Sequence, residues 1–236
     1  MGLATNLSMR MNRASRNPID LLLANIDRAT VFNPDSAVSL SLSQDNTSDR
    51  TGTVTSSEVV HPSVERISGG WNGHEYWMAI TGYEAGNDRY ENPSIMHSDD
   101  GITWSQSGIT NPVFLTPSGT DYQADVRLWY EAADDKLHMV WFRTKSSRTE
   151  IGIQYSNSSD GNTWAAEQEI VDGTISSGKG DVLSPCVVKE SDGTYSLYTV
   201  NAQSDPNVLQ RRTASTVTGT WSATTDCTFD SLPFDT

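Results

Sequence analysis

Residues 98–104, "SDDGITW", combine the Asp-Gly pair of a tight turn with a tryptophan, and residues 158–164, "SSDGNTW", repeat this pattern 60 residues later. Asp-Gly between strand-like runs predicts a hairpin turn, because glycine adopts positive φ at little cost and aspartate bonds to the backbone ahead of it. A degenerate third copy, "TGTW", ends at Trp221, 57 residues after Trp164. This period indicates units that pack on one another.

Each period contains four runs of strand-forming residues, separated by clusters of Gly, Asn, Asp and Ser. In the second unit these are "DVRLWYEA", "KLHMVWFRT", "EIGIQYSN" and "TWAAEQEI". Antiparallel strands with periodic glycine and aromatic residues are typical of β-propeller blades, and helical periodicity is lacking. The sequence therefore predicts an all-β propeller with three visible four-stranded blades, at about residues 58–110, 118–170 and 178–228.

The repeated turns supply a set of predicted structural residues. We expect the turn residues to close the hairpins, and the tryptophans to begin the fourth strand of each unit and to pack between neighbouring blades. The set is Asp100, Gly101, Trp104, Asp160, Gly161, Trp164 and Trp221.

Three units are fewer than the four to eight blades of most propellers. Either the sequence is the first part of a longer protein, or its amino-terminal segment supplies strands that close the ring. Residues 1–50 are predicted to form an extended arm and linker, followed by the blades over residues 51–236. Asn17-Pro18 predicts the start of a short helix that runs to Ile26, and "SAVSLSLS" at residues 36–43 can add an edge strand.

Composition excludes several classes of function. The formal net charge of −14 argues against binding of nucleic acid or of an anionic membrane, since both require a basic surface. No stretch approaches the ~20 apolar residues of a membrane span. The amino terminus lacks the apolar core of a secretory signal. Two cysteines make neither a disulfide framework nor a zinc-binding pattern, and we expect no metal or cofactor.

Residues 61–104 carry a set of short motifs: "HPSV", "WNG", "YWMA" and "ENPSI", ahead of the "SDDGITW" hairpin. These resemble the repeat of phage and prophage tail-fibre-like proteins, which is in turn similar to the five-bladed propellers of arabinanase-type glycoside hydrolases. The resemblance covers roughly residues 58–225 and implies that the three visible blades are part of an incomplete five-bladed propeller.

The arabinanase resemblance implies three carboxylates around a central channel, because glycoside hydrolysis needs an acid and a base or nucleophile. His61 occupies the position of the base and Ser184 that of the acid, and Asp125 alone keeps its carboxylate. We therefore predict no catalytic residues, and ligand-binding roles for His61, Asp125, Arg127 and Ser184 at the channel mouth. A structural ion pair between Asp125 and Arg127 is the alternative. Glu91 is expected to lie outward of the channel.

These features predict a structural component of a bacteriophage virion, such as a tail, neck or fibre protein. Residues 1–30 would bind other virion proteins, and the propeller would face outward from a particle made in the host cytoplasm without a signal peptide. A homo-oligomer, trimeric or higher, is expected, and the propeller could contact host-surface glycans. The alternative is a glycoside hydrolase of the five-bladed type that acts on a polysaccharide.

Overall fold

The structure is a computed structural model, and it describes residues 42–46, 52–56 and 58–228. These ranges contain two single-turn 3₁₀ helices, Glu84–Gly86 and Asp88–Tyr90. Their strands are β1 (Leu42–Asn46), β2 (Gly52–Ser56), β3 (Val59–Trp71), β4 (His74–Gly82), β5 (Ser94–Ser98), β6 (Gln123–Glu131), β7 (Lys136–Lys145), β8 (Glu150–Ser158), β9 (Gln168–Ser176), β10 (Lys179–Gly180), β11 (Leu183–Lys189), β12 (Tyr195–Asn201), β13 (Val208–Ala214) and β14 (Thr225–Asp226).

The strands form a hairpin, β1–β2, and three larger antiparallel sheets in chain order. The first sheet is β3–β4–β5, the second runs from β6 to β10, and the third from β11 to β14. Each strand pairs with its neighbour in the sequence, as in the blades of a propeller. The predicted all-β propeller fold is thus confirmed.

The inner strands β7 and β8 of the second sheet are buried on both faces, because this sheet lies between the other two. Strand β7 begins "KLHMVWF", and all six side chains after Lys136 in this run are buried. One face contributes Leu128 and Trp141 to an apolar cluster shared with Trp77 of the first sheet. The other contributes Phe142 to a cluster shared with Leu197 of the third sheet. Continuous apolar runs are typical of strands that are covered on both sides.

The sheets have three, five and four strands, where the sequence predicted four in each. After the first Asp-Gly turn the chain makes only a single bridge, between His97 and Ser105. In the second sheet Trp164 makes a single bridge with Ser158, and the next strand begins at Gln168. In the third sheet the next strand, of two residues, begins at Thr225. The tryptophans therefore do not begin the fourth strands. Their half-buried rings pack on apolar clusters instead.

The three tryptophans pack on three different apolar clusters. Trp164 packs on the cluster between the first and second sheets, with its ring edge-on to Phe114 at 6.5 Å between centroids. Trp221 packs on the cluster between the second and third sheets. Trp104 packs on a smaller cluster around Met78 that includes a residue of the β1–β2 hairpin.

The predicted arm of residues 1–50 lies outside the described residues, apart from Leu42–Asn46. The predicted helix that begins after Asn17 is among the residues that the structure does not describe. Of the predicted edge strand at residues 36–43, only its last two residues are described, and they begin β1. In the described ranges no helix has the length and apolar character needed to cross a membrane.

Candidate functional site

The first strand of each of the three sheets contains the same irregularity near its start. Strand register shifts between Val60 and Ser63, between Ala124 and Arg127, and between Leu183 and Cys186. The residues inside these bulges are His61, Asp125 and Ser184, with φ of 55°, 56° and 49°. Residues other than glycine rarely adopt this left-handed conformation, and a β-bulge redirects the side chain that it contains.

The three bulges bring His61, Asp125 and Ser184 to one cavity of about 180 Å³. The residue that follows each of them completes the lining: Pro62, Val126 and Pro185. Three of the four residues that the sequence assigned to ligand binding therefore meet in one place, although they are more than 120 positions apart along the chain at the extremes. We call this cavity the bulge pocket.

Asp125 lies at the centre of the bulge pocket and contacts both of its polar neighbours. Its Oδ1 is 3.1 Å from His61 Nδ1. Its Oδ2 accepts hydrogen bonds from Ser184 Oγ at 2.7 Å and from the Ser184 backbone N–H at 3.1 Å. The Asp125 side chain is 15% exposed and that of His61 43%, so the imidazole is the more accessible group to a ligand.

Glu91 also belongs to this group, although the sequence placed it outward of the channel. Its Oε2 lies 3.4 Å from His61 Nε2, and its side chain is only 9% exposed. The outward prediction is wrong because it treated Glu91 as the first residue of a strand. Glu91 instead caps the 3₁₀ helix Asp88–Tyr90, and β5 begins three residues later at Ser94.

The electrostatics of the four residues centre on His61. The hydrogen bond with Glu91 raises the pKa of His61, and the charge of Asp125 raises it further, against the effect of burial. Burial raises the pKa of Glu91, and His61 opposes that shift. The imidazole thus stays protonated to higher pH than a free histidine, held between two carboxylates. The arrangement can accept, donate and relay protons.

Arg127 does not join the bulge pocket. Because the bulge interrupts the alternation of β6, Arg127 and Asp125 do not share a face as two residues of a regular strand would. The guanidinium donates to Ser63 Oγ at 3.1 Å. It also faces Glu65, whose pKa is raised by burial and lowered by this guanidinium.

The predicted turn residues Asp100 and Asp160 make matching sets of hydrogen bonds. Asp100 Oδ1 accepts from the backbone N–H groups of Ile102 at 2.7 Å and Thr103 at 2.6 Å. Asp160 Oδ1 accepts from Asn162 at 2.8 Å and from Thr163 at 2.6 Å. None of these residues lines the bulge pocket. Their contacts are those of a closed turn.

A second cavity lies at the opposite end of β3 from His61. Its volume is about 460 Å³, and its lining includes Gly70, His74 and Asp99. His74 begins β4, and its ring stacks on that of His97 with 3.6 Å between the ring centroids. Its Nδ1 lies 2.8 Å from Asp99 Oδ1. Over residues 42–46, 52–56 and 58–228, no group of three or more His, Cys, Asp or Glu side chains is placed to hold a metal ion.

Comparison with known proteins gives one curated relative. The chain is 29% identical over 160 residues to an A type blood N-acetyl-alpha-D-galactosamine deacetylase of Flavonifractor plautii. The match covers 56% of this chain and 21% of the relative, so the chain spans about a fifth of that enzyme's length. No protein-family model matches the chain.

Solved structures give similar folds. An N-acetylgalactosamine deacetylase from F. plautii, in complex with blood group B trisaccharide, aligns with a TM-score of 0.62 and 24% identity over 72% of this chain and 53% of that one. The three sheets are propeller blades. The alpha-L-arabinofuranosidase Arb93A from Fusarium graminearum aligns with a TM-score of 0.54 and 16% identity over 72% and 48% of the two chains. An endo-arabinase from Bacteroides thetaiotaomicron aligns with a TM-score of 0.52 and 17% identity over 69% of this chain and 60% of that one.

These similarities overturn the prediction of a phage virion protein. They point to carbohydrate-active enzymes, and so favour the alternative function over the structural one. Motifs such as "HPSV" and "ENPSI" misled the prediction because they encode blade geometry: the first contains a bulge and the second precedes β5. A scaffold of this kind does not determine function. The expected homo-oligomer stays a prediction.

Proposed function

We propose that the bulge pocket is the catalytic centre of a hydrolase that acts on a glycan, and that it removes the acetyl group of an N-acetylated sugar. The observation that carries the proposal is the convergence of His61, Asp125 and Ser184 from three separate sheets on one polar cavity. Similarity to a deacetylase of N-acetylgalactosamine supports the choice of bond. The cavity volume, about 180 Å³, suits a small polar group such as an acetamide.

In this proposal Asp125 and His61 divide the proton transfers. Asp125 accepts a proton from water as the water oxygen bonds to the acetamide carbonyl carbon. The C–N bond then breaks as the sugar nitrogen takes the proton on His61 Nδ1, since Nε2 faces the buried Glu91. The 3.1 Å contact between Asp125 Oδ1 and His61 Nδ1 lets the first proton pass to the second group, so both residues return to their starting states. The products are acetate and an amino sugar.

Ser184 orients the base in this proposal and is not a nucleophile. Its hydroxyl donates to Asp125 rather than to an imidazole, and its backbone N–H donates to the same oxygen. The familiar nucleophilic arrangement requires a histidine within hydrogen-bonding distance of the serine. Here the carboxylate lies between the two.

Acetate release tests the proposal. The chain is incubated with an oligosaccharide that ends in N-acetylgalactosamine, and acetate is measured with a coupled enzymatic assay. We expect release by the unaltered chain and a loss of roughly 10² to 10⁴-fold in Asp125→Asn, the range that general acid or base groups contribute. Asp192→Asn is the matched control, because it makes the same change at a turn of the third sheet outside the bulge pocket.

Two results would contradict the proposal: no acetate from the unaltered chain, or full activity in Asp125→Asn with Asp192→Asn equally active. Circular dichroism of both variants shows whether the fold is retained.

Hydrolysis of a glycosidic bond is a second candidate. The observation that favours it is that two carboxylates, Glu91 and Asp125, flank the same imidazole at 3.4 and 3.1 Å. Glycosidases use such a pair, one as acid and one as base or nucleophile. Release of reducing sugar without acetate from the same oligosaccharide would favour this reaction over deacetylation.

A further inference from the structure

Glu91 lies at the Nε2 edge of the His61 ring, and Asp125 lies at the Nδ1 edge. Its Oε2 is 3.4 Å from Nε2, whereas Asp125 Oδ1 is 3.1 Å from Nδ1, so the imidazole bridges two carboxylates through its two nitrogens. Neutral imidazole carries only one N–H, but imidazolium can donate to both carboxylates at once. Two carboxylates at these distances therefore favour the protonated ring through their charges.

The His61 side chain needs polar partners to hold its orientation. His61 has φ of 55° within a bulge and is followed by Pro62, and its side chain is 43% exposed at the pocket. A partly exposed imidazole has freedom to rotate unless polar partners fix both of its edges. Glu91 supplies the partner on the Nε2 edge, and it is itself 91% buried behind the ring.

In the pocket, His61 is the group that can carry a positive charge beside Glu91. Asp125 and Asp88 both raise the pKa of Glu91, and Asp88 already forms an ion pair with Arg148 at 2.7 Å. A buried carboxylate is costly without a hydrogen-bonded counter-charge. Contact with the imidazolium offsets that cost, so the two groups stabilise each other's charged forms.

We propose that Glu91 is a positioning residue that keeps His61 protonated and oriented toward Asp125. Ser184 stands where the arabinanase-type enzymes have their acid, and it does not provide a proton donor. Glu91 would make His61 that donor instead. The effect of Glu91 on reaction rate rests on the proposed function, whereas its effect on His61 does not. Glu91 acts through the imidazole and need not touch a substrate.

The titration of His61 tests the proposal without any substrate. The imidazole signals of the four histidines are followed by NMR as a function of pH, and His61→Asn assigns the His61 signal. In Glu91→Gln we expect the His61 pKa to fall, because the side chain keeps its size and loses its charge. Glu91→Asp should restore part of the shift.

Glu65→Gln is the matched control. Glu65 is a half-buried glutamate of β3 whose pKa is likewise raised by burial, but its charged neighbour is Arg127. Its replacement should leave the His61 titration unchanged. An unchanged His61 pKa in both Glu91→Gln and Glu91→Asp would overturn the positioning role, and thermal unfolding of each variant establishes that it is folded.

Kinetics separate this proposal from the proposed function. If acetate is released, Glu91→Gln should lower kcat by up to roughly 10²-fold with little change in KM, and the alkaline limb of its pH profile should move to lower pH. A lowered His61 pKa with no acetate release by the unaltered chain would retain the positioning role and refute deacetylation. Acetate release by the unaltered chain, with an unchanged His61 pKa in Glu91→Gln, would support deacetylation and refute the positioning role.

Discussion

Asp100 shows how a single ionised side chain holds a turn of this fold. Hydrogen bonds from the backbone N–H groups of Thr103 and Ile102, together with the Ser98 hydroxyl, lower the pKa of its carboxyl to about 2. A carboxyl whose pKa is lower in the folded state stabilises the fold above its unfolded pKa of 3.8. That contribution is lost as the pH falls through about 2.

Asp100→Asn should therefore destabilise the chain in a pH-dependent way. We expect a lower Tm than the unaltered chain at pH 6, and a difference that shrinks as the pH falls from about 4 through about 2, because Asp100 takes up its proton over this range. Thermal unfolding by circular dichroism over this range measures it. A Tm difference that stays constant down to pH 2 would mean that shape, not charge, accounts for the effect.

At the scale of elements, the second Asp-Gly turn, at Asp160-Gly161, packs tightly against the first sheet. Gly161 has φ of +81°, and a Cβ there would lie 2.1 Å from the buried ring of Trp77 in the first sheet. The turn of one blade thus packs directly on the core of the previous one. The equivalent Gly101 has φ of +73°, and a Cβ there would lie 3.3 Å from Tyr76 of its own sheet.

Gly161→Ala should destabilise the fold more than Gly101→Ala. Both replacements place a Cβ in the left-handed region, at a cost of about 1–2 kcal/mol. Gly161→Ala must also displace Trp77, which adds about 1–3 kcal/mol for overpacking. Urea unfolding of the two variants measures the difference. Equal losses of stability would contradict the tight contact between this turn and Trp77.

At the scale of the whole molecule, the sequence predicted the features that depend on residues close together in the chain. Asp-Gly turns and strand-like runs located the three sheets, since both signals come from residues close in the chain. The fourth strands were misplaced because Trp164 and its counterparts pack on apolar clusters instead of beginning a strand, a contact between residues far apart in the chain. Glu91 was misplaced because a 3₁₀ helix directs it. Comparison of the three units with the arabinanase pattern singled out His61, Asp125 and Ser184, which line one pocket. The phage virion function inferred from the same motifs was wrong.

The central claim is that the bulge pocket binds the sugar, and NMR of the histidine side chains tests it most directly. An N-acetylgalactosamine-terminated oligosaccharide is titrated into Asp125→Asn, which we expect to bind the ligand without hydrolysing it. We predict that the imidazole signals of His61 shift in a saturable manner, while those of His74, at the opposite end of β3, stay in place. Saturable shifts at His74 with none at His61 would contradict the account.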